Sequence, residues 1–105
     1  MKKEEVIEKL REISLRVVPV GGEVLLYGSQ ARGDAHKGSD WDILILLDKE
    51  RITKDDLDNV GFPFTMLGWD IQELILPILY TKAEWNSYSF TPFYKNVEHD
   101  KIQIA

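Results

Sequence analysis

The residues of this chain best suited to chemistry lie in a glycine-rich turn and in an acidic pair that follows it. The turn reads Gly28-Ser29-Gln30-Ala31-Arg32-Gly33, and the acids stand in Ser39-Asp40-Trp41-Asp42. Small residues let backbone N–H groups approach phosphate oxygens, and a serine that opens a helix favours an anion at the helix N-terminus. Asp40 and Asp42 point to one face of a strand, with Cα atoms roughly 6.6 Å apart. The pattern predicts a nucleotide and metal site.

A third acid is expected near this pair. Phosphoryl and nucleotidyl transfer need charge neutralisation on the triphosphate and placement of the attacking oxygen, so several acids should meet beside one phosphate cradle. Asp70 is the candidate if residues 68–76 form a strand next to the one that carries Asp42. Glu73 has the opposite parity on such a strand and is the weaker alternative.

The elements that must position these residues follow from apolar periodicity and capping signals. A one-sided helix is expected over residues 4–18, a buried strand over 23–27, one or two helical turns over 29–34, and a strand covered on both faces over 41–47. Thr53 caps a short helix that ends at Gly61, and residues 62–64 are expected to be extended or turned. Two further helices are expected after Thr81, by its capping-box spacing to Glu84, and after Thr91, by Pro92 at the first helical position.

Composition limits the class of protein. The chain has 105 residues, 44% of them hydrophobic, no cysteine and a formal net charge of −5. This length predicts a single domain, 1–105, and the missing cysteines exclude thiolate metal sites. The negative charge argues against broad nucleic-acid binding. Because no continuous apolar segment follows the N-terminal charges, neither a signal peptide nor a membrane span is expected. A cytoplasmic location is therefore expected.

The compound pattern resembles the minimal nucleotidyltransferase family, within the DNA polymerase beta-like nucleotidyltransferase superfamily. The resemblance covers residues 23–73, from the glycine turn through Ser39-Asp40-x-Asp42 to Asp70. It implies an α/β (α+β) fold, with a mixed sheet of three to four strands flanked by helices. It also implies that Asp40 and Asp42 bind two Mg²⁺ ions and that Asp70 binds one and activates the acceptor hydroxyl. The implied nucleotide contacts, with ATP as substrate, are Gly28, Ser29, Arg32 and Ser39.

The resemblance also implies a partner. Members this short typically accompany a helical HEPN-type protein, and some act as antitoxins that transfer AMP from ATP to a tyrosine of that protein. The resemblance therefore implies a protein acceptor and not a sugar or a drug, and the expected lack of the second domain found in larger relatives disfavours a small-molecule acceptor. The alternatives are a module that neutralises its partner by contact alone and, less favoured, modification of a small molecule. A homodimer is compatible with the apolar tail.

Several side chains have two interpretations. Arg32 could contact phosphate, or it could fix the loop by pairing with a carboxylate such as Asp34 or Asp40. Trp41 should face away from the acids and belong to the core, and His36 should be exposed. The aromatic residues after Gly68 are expected to be packing residues more often than a base-stacking surface, and any exposed together would mark a partner interface.

Overall fold

A computed structural model describes residues 1–105. The helices are α1 (Lys3–Val17), α2 (Ser29–Arg32), α3 (Lys54–Asp56), α4 (Phe62–Ile71), α5 (Lys82–Ser87) and α6 (Pro92–Asp100), with a π-helical segment over Leu57–Gly61. The strands are β1 (Glu23–Tyr27), β2 (Trp41–Leu47), β3 (Ile75–Thr81) and β4 (Ile102–Gln103). None of the helices is both long and apolar enough to span a bilayer.

The four strands form one mixed sheet in the order β3-β2-β1-β4. β1 pairs antiparallel with β2 and with β4, whereas β3 runs parallel to β2. The expected mixed sheet flanked by helices is confirmed, and β4 is the one strand that no sequence signal indicated.

Each face of the sheet is covered by its own helices, because successive side chains of a strand point to opposite faces. One face packs on α1 and α4, and its core includes Leu10, Ile43 and Phe64. The other face packs on α5 and α6, and its core includes Leu44 and Trp85. A residue's parity along a strand therefore decides in which of two separate layers its side chain lies.

The predicted strand over residues 68–76 is wrong. Residues 68–71 lie in α4, which continues the helix begun after Thr53, residues 72–74 connect it to the sheet, and β3 begins only at Ile75. Residues 62–64, expected to be extended or turned, are helical as well. Val60, Phe64 and Gly68 recur at intervals of four and are all buried, which is a helical period. The π-helical segment shifts the hydrogen-bond register just before Pro63, where a missing N–H would interrupt a regular α-helix.

The end of α4 depends on two special backbone positions. Gln72 closes the helix in the left-handed conformation, with φ of 58°. At Gly68 the returning chain passes so closely that an added Cβ would lie 2.6 Å from the carbonyl oxygen of Glu73. The chain can therefore reverse tightly from α4 into β3 because Gly68 has no side chain.

Candidate functional site

Strand parity places the acidic pair away from the α1 and α4 layer. Trp41 is buried in the core on that side, as expected, so Asp42 points to the α5 and α6 side. Asp40 precedes β2 and lies close enough to Asp42 for its charge to raise the pKa of the Asp42 carboxyl. The structure thus brings the two predicted acids together.

The glycine turn lies directly against Asp42. Gly28 links β1 to α2 with φ of 74° and ψ of −160°, a conformation that is essentially restricted to glycine. A Cβ added to Gly28 would overlap the Asp42 carboxylate. Ser29 is the first residue of α2, and Gly33 ends it in the left-handed conformation. Gly28 therefore serves both the backbone turn and the close approach of the carboxylate.

Turn, acid and C-terminal helix enclose a cleft of about 370 Å³. It is lined by Tyr27, Gly28, Ser29, Arg32, Asp42, Phe93, Asn96, Val97 and Asp100. Four of the predicted site residues therefore meet in one concavity, namely Gly28, Ser29, Arg32 and Asp42. A polar mouth with aromatic walls suits a ligand that carries both an anion and a flat ring.

The electrostatics of the cleft favour a cation. Partial burial raises the pKa of Asp42, the Asp40 charge raises it further, and Arg32 opposes both. Neither Asp40 nor Asp42 forms an ion pair, and neither carboxylate accepts a hydrogen bond. Across the strand pair, burial and the Asp42 charge raise the pKa of Tyr27 to about 12. A bound cation would offset this uncompensated negative charge.

The carboxylates present fit one Mg²⁺ ion that arrives with a nucleotide. Magnesium is commonly held by one or two carboxylates together with substrate phosphates and water. Asp40 and Asp42 supply that number, and Asp42 lines the cleft beside Gly28 and Ser29. No group of three or more acidic, histidine or cysteine side chains that could hold a metal exists in the structure.

Arg32 is held by carboxylates at the edge of the cleft. Its Nε donates to Asp34 at 3.2 Å, and its Nη1 donates to Asp100 at 3.3 Å. The Asp34 pairing is one of the two interpretations open from sequence, whereas the Asp100 partner lies 68 residues away and could not be anticipated. Because Arg32 also lines the cleft, this pairing does not exclude a phosphate contact.

Ser39 has a structural role in the loop before Asp40. Its hydroxyl accepts a hydrogen bond from the backbone N–H of His36 at 2.9 Å, and its carbonyl accepts one from the buried Gln30 side chain. Ser39 does not line the cleft, so the structure does not place this predicted nucleotide contact there. His36 is exposed, as expected.

Asp70 does not join the acidic pair. It lies exposed on α4 and borders a different, smaller cavity together with Arg16 and Met66. Since α4 covers the opposite face of the sheet from Asp42, the sheet separates the two carboxylates. The prediction of three converging acids was wrong because it placed Asp70 on a strand.

Glu73 does not replace Asp70. Its carboxylate accepts a hydrogen bond from the indole nitrogen of Trp41 at 2.9 Å, on the side of the sheet that Asp42 does not face. Trp69 and Phe62 pack edge to face on the surface of α4, while Trp85 is buried among the aromatic residues of the other layer. Packing is thus confirmed for Trp85, and Trp69 belongs to an exposed pair.

Sequence reasoning missed the C-terminal wall of the cleft. Phe93, Asn96 and Asp100 lie on α6, which pattern and capping had indicated only as a helix. Phe93 packs edge to face on Tyr27, with ring centroids 5.7 Å apart. The spacing of Phe93, Asn96 and Asp100 at three and four residues marks one helix face, but nothing local showed which surface that face covers.

Comparison with known proteins agrees with this geometry. The family model described as Nucleotidyltransferase domain matches residues 3–102. Protein adenylyltransferase MntA of Aphanizomenon flos-aquae (strain 2012/KM1/D3) is 42% identical over 48 residues, which cover 43% of this chain and 32% of that protein. The match thus spans about a third of the length of the curated relative.

Two solved structures share the fold. A toxin-antitoxin crystal structure with AMP-PNP matches with a TM-score of 0.68 and 17% identity, over 94% of this chain and 72% of that one. A structure described as a candidate nucleotidyltransferase from Sulfolobus solfataricus matches with a TM-score of 0.54 and 25% identity, over 96% and 80%. The resemblance to minimal nucleotidyltransferases is confirmed, and the chain belongs to the nucleotidyltransferase domain family.

Proposed function

We propose that this chain is a Mg²⁺-dependent nucleotidyltransferase that moves AMP from ATP to a hydroxyl group of a partner protein, as the antitoxin of a HEPN-type pair. The observation that carries the proposal is the cleft in which Gly28, Ser29 and Asp42 converge. The matched segment of an adenylyltransferase and the fold of a toxin-antitoxin structure support a protein acceptor.

Each residue of the site is assigned a role from its position. Gly28 and Ser29 line the cleft where a triphosphate would lie, at the point where α2 begins, and Arg32 adds positive charge at its edge. Asp40 and Asp42 would hold Mg²⁺, which neutralises charge on the phosphates when bound. Phe93 and Asn96 supply an apolar surface and an amide on the opposite wall, suited to the base.

The transfer itself is a substitution at phosphorus. The acceptor hydroxyl oxygen forms a bond to the α-phosphorus of ATP, the bond from that phosphorus to the bridging oxygen breaks, and pyrophosphate leaves while the hydroxyl proton is released. The chain must therefore hold the triphosphate along the glycine turn with the α-phosphorus open to the acceptor. The exposed mouth of the cleft allows a protein side chain to approach.

The test is labelling of the partner encoded by the adjacent gene. Incubation with α-labelled ATP and Mg²⁺ should label that protein, and Asp42→Ala should abolish the label because the cleft loses a metal-binding carboxylate. Asp70→Asn is the matched control, since Asp70 lies on the opposite face of the sheet, and it should label normally. Persistent labelling with Asp42→Ala would disprove the assignment.

A second function is favoured by one observation. The structure brings Asp40 and Asp42 together, and no group of three or more side chains that could hold a metal forms. A non-catalytic module that neutralises its partner by contact would tolerate that arrangement. Cells that express the partner should be rescued by Asp40→Asn/Asp42→Asn if contact suffices, and they should not be rescued if transfer is required.

A further inference from the structure

We propose that this chain binds one divalent cation with its nucleotide, not two, and that Leu76 is the residue that prevents a second cation from binding. The inference deepens the proposed function and rests on it. It starts from the pairing of β3 with β2, in which Leu76 stands directly opposite Asp42.

Residues opposite each other on paired strands point to the same face, and neighbouring strands lie about 4.8 Å apart. Any side chain at position 76 therefore lies beside the Asp42 carboxylate. On the other flank, β1 places Tyr27 opposite Asp42. The two lateral neighbours of Asp42 are thus a neutral phenol and an aliphatic chain, and neither is a ligand for Mg²⁺.

No other part of the chain supplies the missing carboxylate. Asp70 and Glu73 are associated with the opposite layer of the sheet, and Asp100 is paired with Arg32. β3 reads ILPILYT and contains no acid. Two metal ions held a few ångströms apart between phosphates and protein need carboxylates on more than one side. Here Asp100, on the opposite wall, is already paired with Arg32, so the carboxylates without an ion pair, Asp40 and Asp42, come from one side.

Leu76 is also poorly explained as a core residue. It is 38% exposed, and Ile78, next along the same face, is 37% exposed. A polar side chain at this position would therefore lose little apolar burial. The position can accept a carboxylate without cost to the core, which makes a direct test by substitution practical.

The absence of a third carboxylate also affects the proton. The cleft offers no free carboxylate to accept the proton of the attacking hydroxyl, because Asp42 would hold the cation and Asp100 is paired with Arg32. That proton must pass to water or to a group of the acceptor protein. Transfer by this chain should accordingly be slow and should rise with pH as the acceptor hydroxyl ionises.

The experiment counts Mn²⁺ ions bound to the full chain in the presence of a non-hydrolysable ATP analogue, by electron paramagnetic resonance and calorimetry. The native chain should bind one Mn²⁺ per nucleotide, and Leu76→Asp should bind two. Ile78→Asp is the matched control, because it adds the same charge on the same exposed face but opposite Leu44, and it should bind one.

Each outcome has a definite meaning. Two ions on the native chain would overturn the inference while leaving the proposed function intact, and this measurement does not depend on any variant folding. One ion on a folded Leu76→Asp variant would show that Leu76 does not set the number. Failure of the native chain to bind the analogue at all would overturn the proposed function and this inference together.

Discussion

Arg32 and Asp100 form an ion pair of 3.3 Å that joins the glycine turn to the last helix. The pair closes one end of the cleft, and the second partner of the guanidinium, Asp34, lies outside it. One arginine thus connects the two parts of the chain that form opposite walls of the cleft. Because these two acids neutralise Arg32, they weaken the attraction of the cleft for an anion.

Removing the Asp100 charge should strengthen nucleotide binding. Asp100 lines the cleft beside Asp42, so it repels a triphosphate and occupies an Arg32 donor that could contact phosphate. Asp100→Asn should raise the affinity for metal-free ATP severalfold, with the gain shrinking at high salt. Calorimetric titration measures this, and Asp34→Asn, which also breaks an Arg32 pair but outside the cleft, should change the affinity much less. Equal gains in both variants would contradict the argument.

Gly28→Ala should damage both fold and site, whereas Gly33→Ala should affect only the fold. Both glycines have positive φ, which costs an L-residue roughly 1–3 kcal/mol. Only at Gly28 would the new Cβ overlap the Asp42 carboxylate, since nothing lies within 4 Å of a Cβ at Gly33. Urea denaturation should show a loss of stability in both variants. Mn²⁺-nucleotide binding should be lost in Gly28→Ala and kept in Gly33→Ala.

Asp42→Asn should stabilise the free protein at neutral pH. Burial and the Asp40 charge raise the pKa of Asp42 in the folded state, so ionisation of this carboxyl favours the unfolded chain. The free energy of unfolding that native Asp42 contributes is full below its usual pKa of 3.8 and falls as the pH rises through the higher folded value. The gain from asparagine should therefore be present at pH 7 and vanish below about pH 3.8, which denaturant midpoints at both pH values would show.

The sequence predicted those helices and strands for which the capping residues and the apolar pattern indicate the same structure. The capping box at Thr81 and the cap at Thr91 form as expected, and both central strands keep their boundaries. Local pattern failed at residues 61–71, where Gly61, Pro63 and Gly68 were interpreted as breaks. The buried side of that helix decided its conformation, and part of that burial depends on α1, which is distant in sequence.

Within the candidate site, only the residues of the glycine turn and of the acidic pair were indicated by local sequence patterns. Gly28, Ser29 and Asp42 were found because a turn and a paired strand bring them together, with Tyr27 opposite Asp42. The α6 wall was not found, since a helix face does not reveal what it covers. The position beside Asp42 could not be assigned to Leu76 either, because that assignment needs the register of β3 against β2.

Tyr27 should make the fold sensitive to alkaline pH. Its pKa is raised from 10.0 to about 12, first by burial, then by the charge of Asp42 and by Tyr80. The unfolded chain loses this proton first, so the stabilisation is full below pH 10 and is lost as the pH rises through about 12. A pKa about two above normal corresponds to a change of about 2.7 kcal/mol in the free energy of unfolding between the two protonation states. Solvent screening of a half-exposed phenol reduces this change to the order of 1 kcal/mol.

Tyr27→Phe should therefore lose less stability than the native chain between about pH 9 and pH 11, as measured by urea denaturation at both values. Tyr88→Phe is the control, since Tyr88 lies outside the cleft, and it should follow the native profile.

A second comparison isolates the contribution of Asp42. Asp42→Asn removes the charge opposite Tyr27, so it should lower the pKa of the Tyr27 phenol. Adding Tyr27→Phe to the Asp42→Asn variant should then alter the alkaline loss of stability less than Tyr27→Phe alters it in the native chain. An equal effect in both chains would show that burial alone raises the pKa of the phenol.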